Sequence, residues 1–263
     1  MTNKTKLSVV IIAKNEQSKI VDAIESAGFA DEVIVIDNYS SDLTSEVSRR
    51  AGAKVYEKAK GDFNRLRDEG KKKAKGEWLF YLDCDERITD DLKKEMLSIV
   101  TDTQLRFTAY AVPRKNIIFG KEFRFGGQWP DYQHRLFRKS ALKKWVGNVH
   151  ERPVFDGELS YLSNHLIHLK HDNLSDMMAK TNKWSEIEAK LMFDAHHPPM
   201  NIVRFFTATM REAWSVFILK QGFRDKTEGV IYSLFQIYSR FTSYAKLWEM
   251  QERKLNKVEK KSD

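Results

Sequence analysis

The chain has 263 residues, 41% hydrophobic and 31% charged, with a formal net charge of +8 and a single cysteine, Cys84. That balance excludes a disordered or disulfide-stapled chain, and the length suffices for one large domain or a domain with an appendage. One cysteine admits no internal disulfide and suits a reducing, cytoplasmic setting, while the positive charge by itself fits nucleic acid, anionic lipid or a phosphorylated substrate equally.

Leu7 to Ala13 is an apolar run followed at once by Lys14-Asn15-Glu16, too short and too soon charged for a signal peptide, and it reads as a first strand. Glu32 to Asp37 is a second β-branched run, Ala53 to Tyr56 a weaker third and Glu77 to Leu82 a fourth, with a helix expected over Asp62 to Lys75. Strand and helix alternate, which predicts an α/β architecture: parallel strands, right-handed crossovers and helices on both faces. After Thr89-Asp90-Asp91 a helix should run to about Val100. Short strands are then expected over Arg106 to Val112, Lys115 to Phe119, Phe123 to Phe125 and His134 to Phe137, separated by Gly126-Gly127 and Pro130.

From Asn173 onward the chain reads as helices, broken at His196-His197-Pro198-Pro199 and near Gly222. Ile202, Phe205, Phe206, Met210, Ala213, Trp214 and Phe217 recur at helical spacing, as do Ile231, Leu234, Phe235, Tyr238, Phe241, Tyr244 and Leu247. Neither segment is long enough to span a bilayer. From Met200 to Asp263 there are twelve Lys and Arg against seven Asp and Glu, and this basic, aromatic segment suits a membrane surface, with dimerisation or packing on the rest of the chain as the alternatives.

Leu82-Asp83-Cys84-Asp85 ends the apolar run Trp78-Leu79-Phe80-Tyr81 and so places two acids where a strand emerges on the carboxyl edge of an open sheet. Such acids suit a divalent metal serving phosphate chemistry; the other role for them is an N-cap or turn acid. At the mouth of the first strand stand Ala13, Asn15 and Glu16, and at that of the second Asp37 and Asn38. A carboxylate there suits the N3 hydrogen of uracil or the hydroxyls of a ribose, or else serves as an acid at a helix N-terminus. Neither a Gly-x-Gly-x-x-Gly run nor a Walker Gly-Lys-Ser/Thr is present, so dinucleotide cofactors and P-loop chemistry lose their support. Phosphates would then be neutralised by a metal and by basic residues such as Arg65 and Arg67, one helix before the acidic strand. The triplet His165, His168 and His171 lies on an expected strand that would turn His168 away from the other two, which argues against a zinc site. The lysines at 71, 72, 73 and 75 read as a solvated helix face.

Together, Ser8 to Glu16, Val33 to Thr44 and Gly76 to Glu86 resemble the motifs of the family 2 inverting glycosyltransferases with the GT-A fold. Trp129 to Arg138 and Val149-His150-Glu151 extend the likeness toward the subgroup typified by bacterial lipopolysaccharide core glucosyltransferases. The resemblance implies a GT-A, Rossmann-like, mostly parallel sheet flanked by helices over residues 1–172, with a nucleotide-sugar half over about 1–115 and an acceptor half over about 116–172. A helical C-terminal region over 173–263 would associate with membrane or oligomerise. It further implies that Ala13, Glu16 and Asp37 frame the nucleoside, that Asp83 meets the ribose or metal, that Asp85 holds Mg²⁺ or Mn²⁺ on the diphosphate, and that Arg67 lies near the diphosphate. Two departures are Asn38-Tyr39 in place of the commoner Asp-Gly or Ser-Gly turn, and Asp68 where an Asn is frequent.

Inversion needs a base on the acceptor hydroxyl, and Asp131, in a loop after Pro130 where the family places its acceptor-side acid, is the candidate, with Arg135 and Arg138 expected to keep it ionised. Glu151 is the reserve base, and His150 either completes the metal shell or is satisfied by a backbone carbonyl. The implied activity is transfer of a hexose, from a UDP-linked donor, to a saccharide or lipid-linked acceptor of the bacterial cell envelope, at the inner face of the cytoplasmic membrane, with no nucleic-acid partner and with a homo-oligomer left open. A haloacid-type phosphatase, whose Asp-x-Asp normally follows its first catalytic strand, and a non-catalytic nucleotide-binding protein are the alternatives.

Overall fold

The computed structural model describes residues 6–57, 62–147 and 151–259, with side chains as far as Arg253. Strands β1 (Leu7–Ala13), β2 (Glu32–Asp37), β3 (Lys54–Glu57) and β4 (Trp78–Asp83) alternate with helices α1 (Ile20–Ser26), α2 (Thr44–Arg50) and α3 (Phe63–Lys73). They pair in parallel in the order β3-β2-β1-β4, as the alternation predicts. Every residue of β1 is buried, because a parallel strand is covered on both faces. Its odd positions Val9 and Ile11 join one core with Ile20, Ile24 and Phe80, and its even positions Val10 and Ile12 join another with Leu66, Leu79 and Tyr81.

Gly70 explains how α3 approaches the sheet so closely. A Cβ at that position would stand 2.3 Å from Val10 Cγ1, so only a residue without a side chain lets the helix sit there. Helix α4 (Asp90–Thr101) begins as expected: Thr89 Oγ1 accepts from Leu92 N at 3.3 Å, and Asp90 and Asp91 lie in the positive first turn.

Beyond β4 the sheet becomes mixed, continuing through β8 (Asp131–Arg138), β6 (Phe107–Ile118), β12 (Leu166–His171) and β5 (Glu86–Ile88). The two strands expected over 106–119 are one strand, which runs through Pro113 just after a register shift between Tyr110 and Ala111. Bulges are where a sheet accommodates a proline that cannot donate. Phe123 to Phe125 is not a strand; β7 (Lys121–Glu122) turns back on β6 instead. Asp131 is the first residue of β8 rather than part of a loop, opposite Arg114 in register. A hairpin of β9 (Leu142–Val146) and β10 (Arg152–Phe155), and β11 (Glu158–Tyr161) beside β6, had no expectation.

The chain forms two compact units. One comprises the chain up to Lys115 together with Pro130–Leu169; the other comprises Asn116–Trp129 and the chain from Lys170. Residues 116–129 therefore group with the C-terminal helices. In the second unit α5 (Leu174–Asp194), α6 (Ile202–Trp214) and α7 (Lys226–Glu259) are the helices, with a π-helical turn over Ser215–Leu219 and a 3-10 turn over Gly222–Asp225. Asn173 and Asn201 cap α5 and α6, each accepting from the backbone N–H three residues on. Among the described residues no helix is long and apolar enough to cross a membrane.

Candidate active site

The carboxyl ends of β2, β1 and β4 lie side by side, with Ala13 opposite Asp37 and Ile12 opposite Asp83 in register. This gathers most of the candidate residues on one edge of the sheet, where ligands of open α/β folds bind. Ala13 is buried, its carbonyl accepting from Asn38 N at 2.8 Å, so it forms wall rather than ligand. Glu16 donates its backbone N–H to Thr44 Oγ1 at 2.8 Å. Asp37 is nearly fully buried in the loop it begins: Oδ1 accepts from Ser40 N at 2.9 Å and Ser40 Oγ at 2.6 Å, and Oδ2 accepts from Ser45 Oγ. Beside it, Asn38 Oδ1 is buried without a hydrogen-bond partner. Tyr39 adopts φ +52°, which accounts for the glycine more usual at this turn.

After β4 the chain turns sharply and is tied down. Cys84 Sγ donates to Ile12 O at 3.3 Å, Arg87 Nη1 donates to Cys84 O at 2.8 Å, and Leu169 N donates to Asp85 O at 2.8 Å. Burial, with the negative charges of Glu16, Asp83 and Asp85 around it, pushes the Cys84 thiol well above its ordinary range, so it is a packing group and not a nucleophile.

A chain of charges runs from this turn to Asp131. Arg67 Nη2 donates to Asp83 Oδ1 at 3.1 Å, and Arg135 Nη2 donates to Asp83 Oδ2 and to Glu86 Oε1, the latter at 2.5 Å. Glu86 Oε1 also accepts from Arg114 Nη1 at 3.1 Å, while its Oε2 accepts from Asp83 N at 3.0 Å. Arg114 then grips Asp131 Oδ2 through Nε at 3.0 Å and Nη2 at 2.6 Å, and Gln133 Nε2 donates to Oδ1 at 2.8 Å. Burial alone would raise the Asp83 carboxyl; the Arg135 and Arg67 charges and the Arg135 hydrogen bond outweigh it and hold the group well below the usual carboxylate range.

Arg135 is thus committed to Asp83 and Glu86, and Arg138 lies 5.1 Å from the Trp78 ring centroid at the far end of β4. Arg114, not the two arginines expected from the sequence, pairs with Asp131. Glu86 and Arg114 went unnoticed in the sequence. Glu86 follows the acid pair directly, and its complete burial is a property only the fold confers.

Arg67, Asp83, Arg114, Arg135, Trp145 and Glu151 line a cavity of about 320 Å³. The Arg67 guanidinium lies 4.8 Å from the Trp145 ring centroid, and among the described residues its buried Nε and Nη1 have no hydrogen-bond partner. Unsatisfied donors on a buried cation are costly and suit an anionic ligand. The phosphate-neutralising role expected of Arg65 gains no comparable setting: it is an exposed residue of α3.

For a metal, both Asp83 oxygens already accept from guanidinium groups, which leaves Asp85 as the better-placed carboxylate. Asp85 is partly exposed, with Oδ2 3.5 Å from Nε2 of the buried His168. Among the described residues no three His, Cys, Asp or Glu side chains gather to hold a metal by themselves. The donor set fits Mg²⁺ or Mn²⁺, which take one or two carboxylates and complete their shell with substrate phosphates and water. His150 lies outside the described residues. The three histidines do not converge: His165 offers its carbonyl to Thr89 Oγ1 at 2.9 Å, His168 meets Asp85, and His171 lies 3.7 Å from Asp176. Nor are the lysines 71 to 73 merely solvated, since Lys71 Nζ reaches Lys143 O at 3.1 Å and Lys73 lies 5.1 Å from the Tyr56 ring centroid.

The fold is α/β, with acids gathered at the carboxyl edge of its parallel strands and arginines beside them. Residues 8–153 match the model of glycosyl transferase family 2, and the chain belongs to that family. It is 28% identical over 258 residues to an uncharacterized glycosyltransferase of Rickettsia bellii, covering 93% of this chain and 87% of that one. It is 23% identical over 233 residues to the lipopolysaccharide core biosynthesis glycosyltransferase LpsC of Rhizobium meliloti, covering 86% and 83%. Solved structures similar to it include S. aureus TarS 1–349, with a TM-score of 0.45, 14% identity and coverage of 95% and 91%. Another is glucosyl-3-phosphoglycerate synthase from Mycobacterium tuberculosis with Mn²⁺, UDP-glucose and phosphoglyceric acid, with a TM-score of 0.47, 15% identity and coverage of 74% and 81%.

Proposed function

We propose that the protein transfers a hexose from a UDP-linked donor to a hydroxyl of a saccharide or lipid-linked acceptor of the cell envelope, with inversion in a single displacement. The observation that carries this reading is the buried Arg67 guanidinium beside Asp83, with two unused donors in an arginine-lined cavity at the carboxyl edge of the sheet. The envelope role is supported by the likeness to LpsC, named for lipopolysaccharide core biosynthesis.

Asn38 Oδ1, a buried acceptor with no partner, suits the N–H of a base, and Asp37 keeps the loop around it in shape through Ser40 and Ser45. Glu16 closes the nucleoside side. Arg67 receives the diphosphate. The guanidiniums of Arg67, Arg114 and Arg135 are already balanced by Asp83, Glu86 and Asp131, so a diphosphate brings uncompensated negative charge to a neutral network. A divalent cation at Asp85, with Asp83 or His150 as further ligands, supplies neutralisation of the leaving group when bound.

Asp131 takes the proton of the acceptor hydroxyl. The freed oxygen forms its bond to the anomeric carbon as the bond from that carbon to the diphosphate oxygen breaks, and UDP departs with the electron pair. Arg114 holds Asp131 in place through two donors on one oxygen, and Glu151, in the same cavity as Arg114, is the alternative base. Release of UDP from UDP-hexoses in the presence of Mg²⁺ or Mn²⁺ and a lipid-linked saccharide tests this. Asp131→Asn should lower kcat by about 10² to 10⁴. Unchanged turnover in that variant would pass the role of base to Glu151, and hydrolysis of phosphomonoesters without donor turnover would favour the phosphatase and sink the reading.

A further inference from the structure

Helix α6 has two unlike sides. At about 100° per residue, Ile202, Val203, Phe206, Met210 and Trp214 fall on one arc about 120° wide, and all five are exposed, Ile202 at 86% and Phe206 at 65%. The other side packs inward: the Phe205 and Phe241 rings are 5.7 Å apart, and Glu212 Oε2 is 3.6 Å from Arg240 Nε. Exposed apolar residues continue past the helix through Ile218, Leu219 and Phe223.

Charge decides what such a face is for. From Ile202 to Arg224 the exposed charged side chains are Arg204, Arg211, Lys220 and Arg224, all positive. The one acid in that stretch, Glu212, is turned toward Arg240, and the next, Asp225, accepts from the backbone N–H groups of Arg124 and Phe125 at 3.1 and 2.8 Å. Arg211 and Arg204 lie about 60° and 80° past the Trp214 margin of the apolar arc, both exposed, on the flank between that arc and the packed side. A second copy of the chain docking isologously on this face would bring like charges together. An anionic lipid surface instead takes the apolar arc among its acyl chains and the cations at its headgroups, with Trp214 suited to the boundary. The exposed face of α7 has no such bias, since Glu249 and Arg253 pair there.

We infer that residues 202–224 form a docking strip that lies in the headgroup plane of an anionic membrane leaflet. The strip rests on the proposed lipid-linked acceptor only for its biological purpose, and it is tested without donor or acceptor. The full-length protein is floated with vesicles of phosphatidylcholine alone or mixed with phosphatidylglycerol. It should bind only the mixed vesicles, less as salt rises. Arg204→Gln with Arg211→Gln should bind about 30-fold more weakly, since each cation near such a surface contributes about 1 kcal/mol. Phe206→Ser with Trp214→Ser should also release the protein, with an unchanged Tm because both side chains are exposed. Equal binding to neutral vesicles, retention by both double variants, or a folded wild type that binds neither vesicle overturns the inference. So does self-association in the absence of lipid that Phe206→Ser abolishes. A thermal shift with UDP in the same preparations reports the donor site separately.

Discussion

Glu86 is the residue through which Asp83 and Asp131 are joined. One oxygen holds Arg114, which grips Asp131, and Arg135, which grips Asp83; the other accepts from the Asp83 backbone. Removing one partner from a buried charge cluster typically costs about 3 to 5 kcal/mol, and a glutamine, which still accepts hydrogen bonds, should fall at the lower end. We therefore expect Glu86→Gln to lose roughly 2 to 3 kcal/mol of stability in denaturant unfolding. Because Arg114 and Arg135 lose their shared anchor, kcat should also fall by at least about tenfold. A variant that loses stability while retaining wild-type kcat would make Glu86 purely structural. The pH response of Asp83 has a definite sign. Its carboxyl is depressed, so its contribution to stability is complete above the ordinary carboxylate value of about 4 and is lost only as pH falls below it, through the folded value. Asp83 therefore keeps its charge throughout the neutral range. Asp83, Asp85 and Asp37 could be singled out in the sequence because a strand ending in acids is a local pattern, and Asp131 only through the family likeness. Glu86 and Arg114 could not, because their meaning depends on β4, β6 and β8 lying side by side.

At the scale of elements, the seat of α3 on β1 is decided by a single missing side chain. Alanine raises helix propensity over glycine by about 1 kcal/mol, which would favour Gly70→Ala on an isolated helix. Here the new Cβ meets Val10 Cγ1 at 2.3 Å, on a buried strand with no room to move, and overpacking of this kind costs about 1 to 3 kcal/mol. Sterics should win: Gly70→Ala is expected to be destabilised by about 1 kcal/mol in chemical denaturation, and a gain in stability would refute the close approach. Arg67 rides on the same helix, so donor affinity should weaken with it. The parallel half of the sheet could be read from its alternating runs, with near-continuous hydrophobic stretches in β1, β2 and β4. The antiparallel half could not. The sequence divides 106–119 into two strands where β6 runs unbroken through Pro113, and the short strands β9 to β11 carry too few residues for their period to register.

For the whole molecule, acid should act on the C-terminal unit through His171. Burial, with Lys180 and Lys170 nearby, pushes this imidazole down to about 4 despite Asp176, so it is neutral at pH 7. Between about pH 6.5, the unfolded value, and about 4 the unfolded chain binds a proton that the folded one refuses. Stability should therefore fall as pH falls across that window, by up to about 3 kcal/mol, and His171→Asn should flatten the dependence. Unfolding midpoints measured from pH 7 to 4.5 would check this; a profile unchanged by the substitution would remove His171 as its source. By itself the sequence determined the α/β alternation, the acids at the strand mouths, the family motifs and the helical C-terminal region, because each is written in contiguous residues with a period or a spacing. Only the tertiary structure decided that Arg114 rather than Arg135 or Arg138 holds Asp131, that residues 116–129 belong with the helices, and that the cations of α6 face outward while its acid turns in. Those outcomes depend on which distant segments share space, and hydrogen bonds and ion pairs act over a few ångströms regardless of separation along the chain.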